Sequence, residues 1–225
     1  MGKKEIIGRY GVFVLGLYLL SAGVVLIVRS CLGTTPISSV NYVLSINTPL
    51  SLGTYTFIIN MLLIAGQFWL VRGRRTRRDT TEILLQIPFS FIFSAFIDAN
   101  MLLTQSLVPA HYGHSLSLLL VGCLTQAIGV VLEIKPRVAM MSAEAFVKYI
   151  ALRYDKDFGR VKVRFDISLV LTAVVVSLLM SHTIEGVREG SVIAACITGY
   201  IVSFLNHKVM TRRRLAFVLQ RLQPR

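Results

Sequence analysis

The sequence predicts an all-α polytopic membrane protein, with six transmembrane helices in two inverted three-helix repeats and a short amphipathic or re-entrant helix after the first span of each. Three observations lead there. Apolar residues make up 54% of the 225 and the mean hydropathy is +0.68, too greasy for one soluble core and arranged in runs near bilayer-crossing length. The bases fall in alternate segments between these runs. A span, an interrupting base and an amphipathic segment occur twice, 106 positions apart.

The spans read as residues 10–28, 53–71, 83–103, 116–132, 165–180 and 190–205. The segments before span 1, between spans 2 and 3, between spans 4 and 5 and after span 6 hold 22 of the 24 Lys and Arg. By the positive-inside rule both termini are then cytoplasmic. The formal charge of +13 is thereby explained by topology and gives no sign of nucleic acid. The partner it does imply is the bilayer, with anionic lipid heads at its cytoplasmic face. Cys31, Cys123 and Cys196 offer neither a disulfide framework nor metal-site spacing. The first apolar run is too long for a signal peptide, so span 1 is expected to be retained.

Span 1 carries Gly11, Gly16 and Gly23, small residues that let another backbone approach. It ends at Arg29, near the outer surface. Thr35 then stands where an N-cap would and Pro36 where a first helical residue would. Ile37, Val40, Val43 and Leu44 follow at helical spacing, with Ser38, Ser39 and Asn41 off that stripe. Two arrangements fit this segment: it lies in the outer headgroups, or it dips inward and turns its hydroxyls and amide toward a polar cavity. Span 2 carries Asn60, which needs a partner in hydrocarbon, and ends in a basic run. Span 3 contains Gln86, Pro88, Asp98 and Asn100, and an intramembrane acid by default marks function. Arg29 is the expected partner of Asp98. His111 and His114 in the next loop have no further metal-type ligands beside them and read as solvated.

Span 4 reaches Glu133, Lys135 and Pro136. The amphipathic segment after it sets Ala143, Phe146, Val147 and Ile150 on one side, with Glu144 and Lys148 spaced as an i, i+4 pair on the other. Asp166 is expected in the first turn of span 5. The last stretch, with Leu215, Phe217, Val218 and Leu219 among arginines, suits a short helix on the inner leaflet. The domains follow as 1–103 for the first repeat, 104–210 for the second, inverted repeat and 211–225 for a basic cytoplasmic tail. A shift of 106 lays Gly23-Val24-Val25-Leu26 on Gly129-Val130-Val131-Leu132, Arg29 on Lys135, Gly53 on Gly159 and Asn60 on Asp166. Three spans per repeat is odd, so the second inserts upside down, a plan common among secondary transporters.

The stretch GLYLLSAGVVLIVRSCLGTTPISSVNYVLS, then LSLGTYTFIINMLLI and a third span with Phe-Ile-Asp, resembles the YczE/YitT-like group of bacterial integral membrane proteins. Gly33 through Pro36, Gly53 and Asp98 carry the likeness. It implies a multi-pass protein of the bacterial cytoplasmic (inner) membrane and brings no site residues with it.

The function expected is a small-solute permease. Ser38, Ser39, Asn41 and Asn60, with Glu144 and Asp166 from the other repeat, would bind an unidentified small solute. Contacts of Arg29 with Asp98 and of Glu133 with Lys135 would gate that site. The alternative is a non-transporting accessory or scaffold that packs against a partner, the same polar groups only holding helices together. A homo-oligomer stays open. No HExxH, GxSxG or GxxxxGK pattern is present, so neither an enzyme nor a bound cofactor or metal is expected.

Overall fold

A computed structural model describes residues 3–72, 77–136 and 138–205. These residues form eight helices: α1 Lys3–Arg29, α2 Pro36–Asn47, α3 Leu52–Val71, α4 Arg77–Leu103, α5 Tyr112–Ile134, α6 Ser142–Tyr154, α7 Phe158–Ser181 and α8 Glu189–Phe204. The described residues include no strand. Five helices, α1, α3, α4, α5 and α7, are long and apolar enough to cross a bilayer, whereas α8 is shorter at 16 residues. The protein is thus a multi-pass membrane protein of helices. Large apolar side chains such as Leu62, Phe91, Leu103 and Leu179 are exposed around its outside, where lipid rather than water would cover them. The basic tail lies outside the described residues, as do residues 73–76 of the basic run after span 2.

α1 and α5 pack over most of their length and run antiparallel, because their glycines bring the backbones together in reverse order. A Cβ on Gly23 would stand 2.4 Å from Gln126 N, and one on Gly129 2.4 Å from Leu20 N. Gly16 meets the turn of Gly129 to Glu133 in the same way, and Gly122 meets Gly23 and Ile27. Gly11, expected on this face, has no neighbour within 4 Å and is not part of the seam. α4 lies along α1 through Phe13–Phe89, Tyr18–Phe96 and the bond from Asn100 Nδ2 to Ser21 Oγ, 3.0 Å. α8 lies along α5 through Leu119, Cys123 and Ala194.

The short helices cross over. α2 packs on α7 through Val40, Val43 and Ala173, and α6 packs on α3 through Ala145, Tyr149 and Ile64. Ser38, Ser39 and Asn41 of α2 are buried together with Val40 and Val43. Both its faces are therefore covered, and the reading of α2 as a helix lying on headgroups with its polar face in water does not hold. α7 also begins about two turns earlier than the apolar run suggested. Asp157 caps it by accepting Arg160 N–H, and the basic residues 160–164 are helical, since their alkyl stems extend the apolar surface while their heads stay polar. Asp166 consequently sits about two turns inside α7 and not in its first turn.

Candidate functional site

A cavity of about 820 Å³ lies between α1 to α4 on one side and α5 to α8 on the other. From α2 and α3 its wall takes Ser38, Asn41, Thr56 and Asn60, and from α5 to α7 it takes Gln126, Glu133, Glu144, Lys162 and Asp166. α3 packs closely on α4, whereas α7 and α8 scarcely touch and the cavity takes wall residues from both.

The wall that α1 to α3 supply is neutral, and the first half adds a charge to the cavity through Glu82 of α4. Thr35 is the N-cap of α2, but its hydroxyl donates to Ser38 Oγ at 3.1 Å instead of accepting a backbone N–H. Asn41 Nδ2 donates to Thr56 Oγ1 at 3.2 Å, and that hydroxyl donates to Leu52 O. This leaves Asn41 Oδ1 without a partner, and Asn60 Nδ2 also has none. Gln126 Oε1, Tyr149 OH and Thr198 Oγ1, across the cavity on α5, α6 and α8, complete a set of five unpaired buried atoms. Thr56, Thr198, Gln126 and Tyr149 carry no signal in the sequence, because nothing in a single chain separates a cavity-lining threonine from one that bonds back to its own helix.

The second-half wall is charged. Lys162 Nζ pairs with Asp166 Oδ1 one turn on, and Lys148 Nζ lies 3.5 Å from Glu82 Oε2 of α4, replacing the expected pair with Glu144. Glu133 is buried, accepts the backbone N–H of Met141 at the N-cap of α6 and feels the charge of Glu144. Glu144, in the first turn of α6, is half-buried; burial pushes its carboxyl above the ordinary range, Lys162 opposes that shift and Asp166 adds to it. Burial, with Asp79 and Glu82 nearby, likewise pushes the Tyr149 phenol up to about 12.

Of the residues nominated as solute ligands, Ser38, Asn41, Asn60, Glu144 and Asp166 line this cavity. Ser39 does not: its hydroxyl donates to Pro36 O at 2.7 Å, inside the helix. Among the nominated gating residues only Glu133 is in the wall. Its neighbours are Met141 N–H and Glu144, in place of Lys135, which follows α5 as its C-cap. The expected contact of Arg29 with Asp98 is replaced as well. Arg29 Nη2 donates to Met101 O at 2.8 Å and Nε to Thr104 Oγ1 at 3.3 Å, closing the carbonyl end of α4. Asp98 accepts Ser51 Oγ–H at 2.7 Å and Gly53 N–H at 2.8 Å, holding the start of α3. Each ion satisfies the nearer helix end, where the orphan backbone groups carry complementary partial charge.

The turn from Cys31 to Thr35 is tied to the start of α8. Gly190 N–H donates to Leu32 O at 2.8 Å, Thr34 N–H to Ser191 Oγ at 3.0 Å and Thr34 Oγ1 to Gly186 O at 2.8 Å. Gly33 takes φ +129° there, and a Cβ on it would reach 2.4 Å from Ser191 Oγ, so both backbone and space call for glycine. His111 and His114 have ring centres 6.1 Å apart, and no group of three metal-type side chains is found among the described residues. Residues 7–207 match the Family of unknown function (DUF6198), and the chain belongs to that family. No curated protein and no solved structure matches it.

Proposed function

We propose that this member of a family of unknown function is a small-solute permease of the bacterial cytoplasmic membrane, with its solute site in the central cavity. The observation that carries the reading is the clustering of unpaired polar atoms. Among the described residues, five of the six buried side-chain atoms without a hydrogen-bond partner belong to residues that line this one cavity. Each such atom costs about 1–3 kcal/mol if left unmet, and buried polar groups are otherwise nearly always paired. A volume near 820 Å³ suits a small molecule, and water would meet these groups between solutes.

The inverted-repeat plan is part of the proposal. In its favour, the glycine contacts of α1 and α5 exchange under the shift of 106: Gly16 with Gly129 becomes Gly122 with Gly23. The pairing of α2 with α7 becomes that of α6 with α3, and the pairing of α1 with α4 becomes that of α5 with α8. The base distribution favours cytoplasmic termini, and the resemblance to the YczE/YitT-like group favours a bacterial inner membrane. No nucleotide loop is present in the sequence, so flux would follow a gradient or a separate energising subunit.

The test is reconstitution of the full chain in proteoliposomes with a panel of labelled small solutes, after a thermal-shift screen of the same panel. At least one solute is expected to raise the melting temperature and to cross faster than in protein-free vesicles, and Asn60→Leu is expected to abolish both effects in a protein that still purifies as a monodisperse peak. If no solute does either, the non-transporting accessory is the better reading.

A further inference from the structure

Among the described residues, the charges lining the cavity do not balance. Its wall holds four carboxyl side chains, Glu82, Glu133, Glu144 and Asp166, against two lysines, Lys148 and Lys162. Lys148 faces Glu82 and Lys162 pairs with Asp166. Glu133 and Glu144 remain in the same wall, Glu133 feeling the charge of Glu144 and Glu144 those of Lys162 and Asp166, and among the described residues neither forms an ion pair. The N-terminus of α6, which both approach, supplies roughly half a positive charge, less than two carboxylates require. An excess of negative charge in a partly apolar space is unstable without a counter-ion.

The second observation is independent of these acids. Asn41, Asn60 and Tyr149 are all more than nine-tenths buried in the same wall, and each carries an atom without a partner. Much of the remaining wall is apolar, with Phe93, Ile134, Val138, Met140 and Phe158. The site therefore offers an anionic pole, a few amide and hydroxyl groups, and a large greasy surface with two aromatic rings suited to a cation.

We propose that the cavity binds an organic monocation with an apolar body, its charge held between Glu133 and Glu144, and that a proton occupies the same carboxyl pair once the cation has left. This rests on the permease reading and names its solute class. Binding is an exchange in which the protonated pair plus the cation gives the cation-loaded pair plus one proton, so charge is conserved. The other titratable groups lining the cavity with the pair are Glu82 from α4, Lys148 and Tyr149 from α6, and Lys162 and Asp166 from α7. The wall residues from α1 and α8 are uncharged. Since the proton and the cation compete, affinity falls as pH falls, by about tenfold per pH unit while the pair is protonated.

The probe is tetraphenylphosphonium, titrated calorimetrically into the detergent-purified full chain across mildly acid to mildly alkaline pH, in two buffers of different ionisation enthalpy. The expected result is affinity rising with pH, one proton released per cation bound, and at least a tenfold loss with no pH dependence in Glu133→Gln and Glu144→Gln. A neutral triphenyl analogue should bind without proton release. The idea is overturned if the cation does not bind, or if it binds the wild type without releasing a proton. Equal binding by folded Gln variants would overturn it too. If either variant fails to fold, the wild-type proton count alone decides. Flux of neutral solutes without cation binding would sink this assignment and leave the permease standing, whereas absence of both would sink both.

Discussion

The two walls of the cavity occupy equivalent places in the repeat order and are built from different chemistry. The first half presents Ser38 and Asn60 where the second presents Glu144 and Asp166. The difference follows packing. α3 is sealed against α4 by Asp98 on Gly53 at one end and by the reciprocal amide pair Gln67–Gln86, 2.9 Å each way, further along. α7 and α8 scarcely touch, and the Lys162–Asp166 pair beside them remains about a quarter exposed. Where helices close on one another, a charge such as Asp98 is held only by donors at a helix end, and free charges are tolerated where a cavity can hydrate them.

The equivalent glycines give the sharpest way to break this comparison. A Cβ on Gly53 would stand 2.3 Å from Ser94 O and 2.5 Å from Asp98 Cγ, so neither a backbone carbonyl nor a cap held by two bonds can move aside. Gly53→Ala should lose about 1–3 kcal/mol, read as a lower melting temperature in detergent. An unchanged melting temperature would mean that α3 and α4 are not sealed. Asp98→Asn tests the same seam more gently. It keeps one acceptor but weakens a charge-assisted bond to a helix start, and should cost about 1 kcal/mol by the same measurement. If Arg29 were the true partner of Asp98, Arg29→Gln and Asp98→Asn would couple in a double-mutant cycle. They are expected to be additive.

On the charged wall the prediction turns on pH. The carboxyl of Glu144 is raised in the folded state by burial, so the native protein binds its proton more readily than the unfolded chain does. Its stabilising effect is then full below the ordinary carboxyl range and is lost as pH rises through the folded value. Glu144→Gln should match the wild type in melting temperature in acid and exceed it modestly at neutral pH. Ser38→Ala, at the neutral equivalent, should show no pH-dependent difference at all.

The helices themselves were legible because apolar runs and alternating bases report on lipid directly. So was the place of Ser38 and Asn41 off the apolar stripe of α2, from the helical period, though Ser39 shared that place and bonds back into its own helix. The partners of the charges were not. Arg29 and Asp98 share one end of the bundle, but the sequence does not reveal that each can reach a helix terminus first. The seam glycines show the same limit: Gly11 follows Gly16 and Gly23 in character and faces nothing, because its register against α5 runs past the end of the contact. Thr56 and Thr198 entered the cavity wall only when the crossing of the short helices was known.

The smallest effect expected is also the counterpart of the largest. Gly159 is the equivalent of Gly53 under the shift of 106, lying in the first turn of α7, and a Cβ there would meet only Asp157 Oδ1, at 3.3 Å. That atom is the end of an exposed capping side chain, which can give by a few tenths of an ångström while keeping its bond to Arg160 N–H. Alanine restricts the unfolded backbone and favours helix, a gain of about 0.5–1 kcal/mol in a helix interior and less in a first turn. Gly159→Ala should therefore leave the melting temperature unchanged or raise it slightly. A loss as large as that of Gly53→Ala would mean that the start of α7 is packed as tightly as the start of α3, and the charged wall would then need another explanation than open space.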